Sequence, residues 1–194
     1  MVKRVFIVHG WEGFPEEGWF PWLKEELKKR NFAVSVLKMP RPERPDIKIW
    51  VSFLSRAVKI SDKDTYFVGH SIGCQTILRY LESLPKDAKA GGTVFVAGWF
   101  SLTPVATEEE GAYEIVGPWL KTKIIFDKVL NHTKKFVAIF SDNDPYVPME
   151  NIKIFQDKLN AKIIFEKNKG HFSGSDNVTK LPSLLKEVLE ISQS

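Results

Sequence analysis

The pentapeptide Gly69-His70-Ser71-Ile72-Gly73 decides how the rest of this sequence is interpreted. The apolar run Thr65-Tyr66-Phe67-Val68 before it indicates a buried strand, and the apolar residues after it, from Ile72 to Leu84, recur at helical spacing. A serine between glycines on a turn from strand to helix is the sequence form of a nucleophile elbow. The glycines suit this turn because side chains two residues before and after the serine would collide with neighbouring backbone.

Taken alone, this pentapeptide is a weak signal. A chain of 194 residues matches Gly-x-Ser-x-Gly by chance about one time in twenty at ordinary residue frequencies. Ser71 could instead cap the following helix in a glycine-rich turn. The functional interpretation therefore depends on whether the chain also supplies a base, an acid that orients the base, and donors for an oxyanion.

Composition and charge are those of a globular protein. Of the 194 residues, 43% are hydrophobic and 27% are charged, so we expect one domain with a sizeable core over residues 1–194. The net charge of +4 comes from basic and acidic residues that are mixed along the chain. Because no basic stripe with interleaved aromatic residues appears, we expect no nucleic-acid partner.

The sequence shows no pattern typical of secretion, membrane insertion or a bound metal. Cys74 is the only cysteine, which excludes an internal disulfide and fits a reducing compartment. No apolar stretch approaches the ~20 residues that a membrane helix needs, and the apolar run that ends at His9 is too short for a signal peptide. The four histidines are dispersed. We therefore expect a cytoplasmic protein that binds no membrane, metal or cofactor.

Six short apolar runs alternate with segments of helical periodicity. The predicted strands cover residues 5–8, 33–37, 65–68, 93–97, 136–140 and 162–165. Strands that alternate with helices imply right-handed crossovers, and hence an α/β fold with a parallel sheet and helices on both faces. Residues 98–117 show neither the two-residue period of a strand nor the 3.6-residue period of a helix, so we expect a long irregular loop there. A helix is expected within 119–130.

The residues with catalytic potential follow the ends of predicted strands. His9 ends the first strand, Ser71 follows the third, Asp144 lies after the fifth and His171 after the sixth. In an open parallel sheet, functional groups collect at the carboxyl ends of the strands. The chain order serine, aspartate, histidine is the order that α/β-hydrolases use.

Each of these residue types has a place in serine-based acyl transfer. A serine hydroxyl is a poor nucleophile at neutral pH, so His171 would take its proton and Asp144 would orient the imidazole. The developing oxyanion needs two fixed donors. The backbone N–H of Ile72, directly after the serine, is one candidate, and the N–H of Trp11, after His9-Gly10, is the other.

Together these motifs resemble those of an α/β-hydrolase. They are Val8-His9-Gly10, Gly69 to Gly73, the run Ser-Asp-Asn-Asp-Pro-Tyr-Val-Pro at 141–148, and Gly170-His171-Phe172. The small size, the segment Gly117-Pro118-Trp119 and the Asp-Pro-x-Val-Pro context are similar to the subfamily of retinoblastoma-binding protein 9 and the bacterial YdeN-like serine hydrolases. The resemblance covers essentially the whole chain.

This resemblance implies both a fold and a set of roles. The implied fold has three layers, with a minimal six-stranded sheet in the order 2-1-3-4-5-6 and no large lid. Matched residue by residue, the resemblance implies Ser71 as nucleophile, Asp144 as acid and His171 as base. The implied activity is carboxylesterase-like, with peptidase-like activity in some members. Trp11-Glu12-Gly13 stands where many lipases have a glycine-rich oxyanion loop.

Several residues have competing interpretations. Asp142 shares a loop with Asp144 and competes for the role of the acid, although Asp144 directly precedes the proline context of the family. Asp176 is expected to close a loop, and His9 to orient the oxyanion loop through its ring. His70 is expected to pack or bond locally. His132 is expected to be exposed in a loop, and Cys74 to be a small core residue.

Three tryptophans are candidates for a substrate pocket. Trp11, Trp99 and Trp119 fall in segments that are predicted on the catalytic side of the sheet, although they could equally belong to the core or its rim. We expect a hydrolase of small carboxylic esters, with a small-molecule ester as its partner. Two alternatives stay open, a protein-binding module with weak or vestigial activity and a peptidase or amidase that uses the same residues.

Overall fold

The computed structural model describes residues 2–108 and 110–193, so Met1, Glu109 and Ser194 lie outside the described residues. The six strands are β1 (Arg4–Val8), β2 (Ala33–Leu37), β3 (Thr65–His70), β4 (Gly92–Val96), β5 (Phe136–Ser141) and β6 (Lys162–Glu166). The helices are α1 (Phe20–Lys28), α2 (Ile47–Val58), α3 (Ile72–Ser83), α4 (Val105–Glu108), α5 (Ala112–Lys121), α6 (Phe126–Leu130), α7 (Glu150–Leu159) and α8 (Pro182–Gln193).

The strands form one parallel sheet in the order β2-β1-β3-β4-β5-β6, which confirms the predicted fold. Every residue of β3, β4 and β5 is buried, because helices cover both faces of a parallel sheet. The edge strands β2 and β6 are partly exposed. Since all six strands point the same way, the loops after β1, β3, β5 and β6 meet at one edge of the sheet.

Helix α3 lies deep in the molecule. Ten consecutive residues from Ile72 to Leu81 are buried, among them the polar side chains of Gln75 and Arg79. A helix that starts at the central strand β3 and runs under the sheet must be apolar over most of its circumference. The buried position of α3 therefore fixes the turn from which it starts, between His70 and Ile72.

The segment predicted as irregular contains two helices. Helix α4 covers Val105–Glu108 and α5 covers Ala112–Lys121, so Gly117 and Pro118 lie inside α5 rather than ahead of a helix. The Gly-Pro pair conceals the helix in the sequence, because glycine lowers helix propensity and Pro118 lacks the N–H for an intrahelical bond. The region predicted to contain a helix over 119–130 is divided between the end of α5 and α6.

The structure also bears on membrane insertion. Among residues 2–108 and 110–193, none of the helices combines the length and the apolar character that crossing a bilayer requires.

Candidate active site

Ser71 occupies a strained turn between β3 and α3. Its backbone has φ 52° and ψ −123°, a conformation that a residue with a side chain adopts only when its surroundings impose it. A Cβ atom on Gly69 would lie 2.8 Å from the amide nitrogen of Cys74, and one on Gly73 would lie 2.7 Å from the carbonyl oxygen of His9. These contacts confirm why glycine is needed at both positions.

The loop after β1 runs directly beside Ser71. A Cβ atom added to Gly10 would lie 3.3 Å from the Cβ atom of Ser71. The ring of His9 holds this loop, since its Nδ1 donates to the carbonyl of Gly10 at 2.8 Å and its Nε2 accepts from the N–H of Met39 at 3.1 Å. Burial lowers the pKa of His9, so the ring is neutral and both of its nitrogens are engaged.

Two backbone amides border the same space. Trp11 and Ile72 both line the cavity that contains Ser71. In the described part of the chain, neither of their N–H groups donates to a protein acceptor, whereas the next amides, of Glu12 and Gly13, donate to the carbonyls of Pro42 and Gly10. Two unengaged donors beside a serine hydroxyl are the elements that an oxyanion site requires.

His171 and Asp144 are in direct contact. Nδ1 of His171 lies 2.9 Å from Oδ2 and 3.1 Å from Oδ1 of Asp144. Oδ1 also accepts from the N–H groups of Tyr146 and Val147, so the carboxylate is fixed by its own loop. The Asp144 side chain is 3% exposed and that of His171 is 13% exposed. With Nδ1 bound to Asp144, Nε2 is the ring nitrogen that remains available.

Asp142 has a different contact. Its Oδ1 accepts from the N–H of Asn168 at 2.8 Å. Ser141 Oγ likewise accepts from the N–H of Lys169, and Asn143 Oδ1 from the N–H of Gly170. Four successive side chains, from Ser141 to Asp144, thus bind four successive residues of the next loop. We call residues 141–144 with 168–171 the acid–base ladder.

Sequence reasoning missed Ser141 and Asn143. The signal that could have found them is their position, because polar residues in succession after a buried strand can bind the backbone of the neighbouring loop. Their bonds hold the two residues that directly precede His171.

The backbone around His171 is held from several sides. Oδ2 of Asp176 accepts from the N–H groups of His171 and Ser173, each at 3.0 Å, which agrees with the loop-closing role expected for Asp176. Trp19 Nε1 donates to the carbonyl of Phe172 at 3.0 Å. His70 was expected to bond locally, but its Nε2 bonds to the carbonyl oxygen of His171, 101 residues away.

Ser71 and His171 face a cavity of about 510 Å³. It is lined by Gly10, Trp11, Glu12, Glu17, His70, Ser71, Ile72, Trp99, Leu102, Val105, Ala106, Glu110, Val116, Tyr146, His171, Ser173 and Ser175. Ser71 and His171 thus share one cavity. Within the described residues, no hydrogen bond joins Ser71 Oγ to the His171 ring.

The cavity includes two of the three predicted pocket tryptophans. Trp11 and Trp99 line it, but Trp119 does not. Trp119 is buried in the core, where its ring packs edge-on against Trp50 and its Nε1 donates to the carbonyl of Pro45 at 3.2 Å. Its place in the predicted pocket is therefore wrong, because its helix α5 turns this side chain toward α2.

Two further expectations concern residues outside the cavity. His132 is buried, contrary to the prediction, and its Nδ1 bonds to the carbonyl of Ala88 at 2.8 Å. Cys74 is a buried core residue as expected, and burial raises the pKa of its thiol.

Among the described residues, no cluster of three or more His, Cys, Asp or Glu side chains could hold a metal ion.

Comparisons with known proteins place the chain in a family. A model of the serine hydrolase family matches residues 5–190. The protein YdeN of Bacillus subtilis is 30% identical over 182 residues, 94% of this chain and 92% of that protein. Serine hydrolase RBBP9 of Rattus norvegicus is 24% identical over 160 residues, 82% of this chain and 80% of that protein.

Solved structures extend the similarity to the whole fold. The crystal structure of the ydeN gene product from B. subtilis superposes with a TM-score of 0.90 and 28% identity, covering 100% of both chains. A structure from work on carboxylesterases of Nitrososphaera gargenis gives a TM-score of 0.73 at 13% identity, covering 99% of this chain and 91% of that one, and shows a shared fold. The chain belongs to the serine hydrolase family and has an α/β-hydrolase fold.

Proposed function

We propose that this protein hydrolyses small carboxylic esters through an acyl-enzyme intermediate, with Ser71, His171 and Asp144 as its catalytic triad. The observation that carries the proposal is the contact of His171 with Asp144 at the wall of the cavity that also contains the strained Ser71. A strained serine conformation costs of order 1–3 kcal/mol, and such strain clusters at functional sites.

In the first half of the proposed reaction, Oγ of Ser71 attacks the carbonyl carbon of the ester. The proton of the hydroxyl passes to Nε2 of His171, and Asp144 stabilises the imidazolium through Nδ1. The N–H groups of Trp11 and Ile72 bind the oxyanion of the tetrahedral intermediate. When the intermediate collapses, the C–O bond to the alcohol breaks and the alcohol leaves with the proton of Nε2.

In the second half, water replaces the alcohol. Nε2 of His171 takes a proton from the water as its oxygen attacks the acyl carbon, and the same two amides bind the second oxyanion. Collapse of this intermediate returns the proton to Oγ of Ser71 and releases the carboxylic acid. The Ser71–His171 hydrogen bond that this sequence requires is one that substrate binding commonly tightens.

The shape of the cavity supports a small substrate with an apolar part. A volume of about 510 Å³ falls among the sizes that small-molecule sites have. Apolar side chains, including Trp99, Leu102 and Val116, line the cavity together with Trp11 and Ile72, whose amides are unengaged within the described residues. Such a site can seat an acyl chain on the apolar wall while its carbonyl oxygen faces the amides.

The Ser71→Ala variant tests the proposal. Loss of a triad residue costs up to ~10⁶ in kcat, so purified Ser71→Ala should lose measurable hydrolysis of p-nitrophenyl acetate while keeping its circular dichroism spectrum. Ser175→Ala is the matched control, because Ser175 also lines the cavity and should retain kcat within about threefold. Hydrolysis at the wild-type rate in Ser71→Ala would refute the assignment.

A fluorophosphonate probe separates an enzyme from a protein-binding module on the same fold. An activated serine attacks the phosphorus of the probe and becomes covalently labelled, whereas a vestigial site does not react. We expect labelling in the wild type, and none in Ser71→Ala or His171→Ala. A wild-type protein that resists the probe would favour the binding module.

A further inference from the structure

His70 connects the nucleophile turn to the loop that carries the proposed base. It precedes Ser71 in the chain, so one peptide bond separates the two residues. Its ring reaches across the edge of the sheet, where Nε2 lies 2.7 Å from the carbonyl oxygen of His171. The rings of His70 and His171 have centroids 5.1 Å apart. This is a direct link between the backbone next to Ser71 and the backbone of His171 itself.

The protonation state of His70 follows from this contact. A carbonyl oxygen only accepts hydrogen bonds, so Nε2 must carry a proton and donate it. Burial, together with the neighbouring His171, lowers the pKa of His70 to about 3, so the ring is neutral at physiological pH. A neutral ring has one N–H group, and here that group is committed to His171.

The surroundings of the ring leave it little freedom. It is 4% exposed, and the rings of Trp19 and Phe20 stand edge-on against it with centroids 6.1 Å away. A Cβ atom on Gly10 would lie 3.2 Å from its Nδ1, which has no hydrogen-bond partner among the described residues. Leaving a buried acceptor unpaired costs free energy, and the arrangement nevertheless keeps Nε2 directed at His171.

We infer that His70 is a positioning residue for the hydrolysis proposed above, on which this role rests: its Nε2–H fixes the carbonyl of His171 and thereby the spacing between the imidazole and Ser71. Asp176 holds the N–H of His171, Asp144 holds its ring, and His70 holds its carbonyl. Of these three anchors, only His70 is joined covalently to the nucleophile. It therefore sets the geometry between base and nucleophile, whereas Asp144 sets the orientation of the ring.

The test compares His70→Phe with His70→Gln. Phenylalanine fills the ring site but removes the donor, whereas the amide nitrogen of glutamine can reach the place of Nε2 and donate. Misplacement of a catalytic group by about 1 Å can cost about 100-fold, so His70→Phe should lose 10- to 100-fold in kcat with KM changed less than about threefold. His70→Gln should recover kcat to within about fivefold of the wild type.

His132→Phe is the matched control for the loss of a buried histidine. His132 is also buried and also bonds to a backbone carbonyl, but it lies where β5 begins, at the opposite edge of the sheet from Ser71. It should lower the melting temperature as His70→Phe does, and keep wild-type kcat. Each variant is assayed well below its melting temperature, so that folding and positioning are read separately.

The outcomes separate this role from the proposed function. The positioning role would be overturned by a wild-type kcat in His70→Phe, or by a His70→Gln variant no more active than His70→Phe. In either case an inactive Ser71→Ala variant would still support the proposed function. Full activity in Ser71→Ala, or neither turnover nor probe labelling in the wild type, would overturn both. We expect kcat to fall in His70→Phe, to be restored in His70→Gln and to stay at the wild-type value in His132→Phe.

Discussion

The two walls of the cavity differ in the elements that hold them in place and in the side chains that face the cavity. One wall, which we call the triad wall, consists of the loops after β1, β3, β5 and β6. Its side chains are fixed by short polar contacts between adjacent loops, as in the acid–base ladder. The other wall, which we call the cap, consists of residues 99–108 and 110–121 and includes α4 and α5. It faces the cavity mainly with apolar side chains such as Leu102, Val105 and Val116.

The cap is attached through helix α3. Gln75 Nε2 donates to the carbonyl of Trp99, and Arg79 donates to Gln75 Oε1, to the carbonyl of Trp119 at 2.9 Å and to that of Thr122 at 2.7 Å. Burial lowers the pKa of Arg79 to about 10, which leaves the guanidinium charged at neutral pH. The helix that starts at the Ser71 turn therefore also holds both ends of the cap.

This difference between the two walls implies that changes in the triad wall and changes in the cap should affect different kinetic quantities. Polar contacts between neighbouring loops place the proposed catalytic groups, so changes there should act on kcat. Apolar side chains of the cap, which is held from helix α3, line the other wall, so changes there should act on the choice of substrate or on folding.

The largest effect is expected at the acid of the triad wall. Asp144→Asn replaces the carboxylate by an amide of the same shape, which favours the wrong imidazole tautomer and cannot stabilise an imidazolium, so kcat should fall by about 10⁴-fold. Asp142→Asn is the control, since an amide oxygen can still accept from Asn168, and it should lose less than about tenfold. Steady-state kinetics on one ester measures both. Equal losses in the two variants would contradict the assignment of Asp144.

The next effect concerns folding, in a comparison of Gly73, which lies in α3 directly after the nucleophile turn, with Gly117 in the cap. A Cβ atom on Gly73 would collide with the carbonyls at the end of β1, so Gly73→Ala should destabilise the protein by about 3 kcal/mol. In Gly117→Ala the nearest side-chain atoms to the new Cβ atom belong to the ring of Tyr113, at 3.3 Å, and that ring is half exposed and can move. Alanine also favours helix, so Gly117→Ala should be neutral or stabilising by up to about 1 kcal/mol.

Urea denaturation with both variants measures these free energies of unfolding. A Gly117→Ala variant as unstable as Gly73→Ala would show that the cap is as tightly constrained as the nucleophile turn.

The contrast between the triad wall and the cap also explains which parts of the structure can be predicted from the sequence. The six strands and the contact between Asp144 and His171 could be predicted, since each depends on a buried run or on a motif whose loop position follows from parallel strands. The order of the strands is implied by the resemblance to the hydrolase family. The acid–base ladder could be predicted only in part. The sequence places Asp142 and Asp144 in one loop as competitors for the role of the acid, whereas the structure gives them different partners.

The cap could not be predicted, for physical reasons. Its position depends on Gln75 and Arg79, which are polar side chains buried in α3, and sequence periodicity does not show which carbonyls a buried donor will reach. Gly117 and Pro118 conceal α5, and the direction of Trp119 depends on how α5 packs on α2. His70 is a similar case, since its partner lies 101 residues away.

Trp99 and Trp119 provide a test of selectivity within the cap. Both are 2% exposed, but only Trp99 lines the cavity. Trp99→Leu should enlarge the apolar wall and shift the ratio of kcat/KM for hexanoate and acetate esters by about tenfold toward the longer chain. Trp119→Leu should lower stability to a similar degree without changing that ratio. A p-nitrophenyl ester series measures the preference, and an unchanged ratio in Trp99→Leu would contradict a role in the acyl pocket.

Charge is the feature that the two walls share, and its effect should be the smallest. Glu12, Glu17 and Glu110 line the cavity, and none of the lining residues in the described chain is lysine or arginine. Carboxylates near a partly exposed site repel an anionic substrate, and salt screens that repulsion.

A p-nitrophenyl succinate half-ester should therefore react about two- to fivefold more slowly, in kcat/KM, than the uncharged butanoate ester, with a smaller difference at high salt. Glu17→Gln should reduce the difference, because Glu17 is half-buried and less screened than the exposed Glu12 and Glu110. Glu16→Gln removes the same charge from a neighbouring residue that does not line the cavity, and should have no effect. If Glu16→Gln and Glu17→Gln change the ratio equally, the discrimination comes from the overall charge of the protein rather than from the cavity.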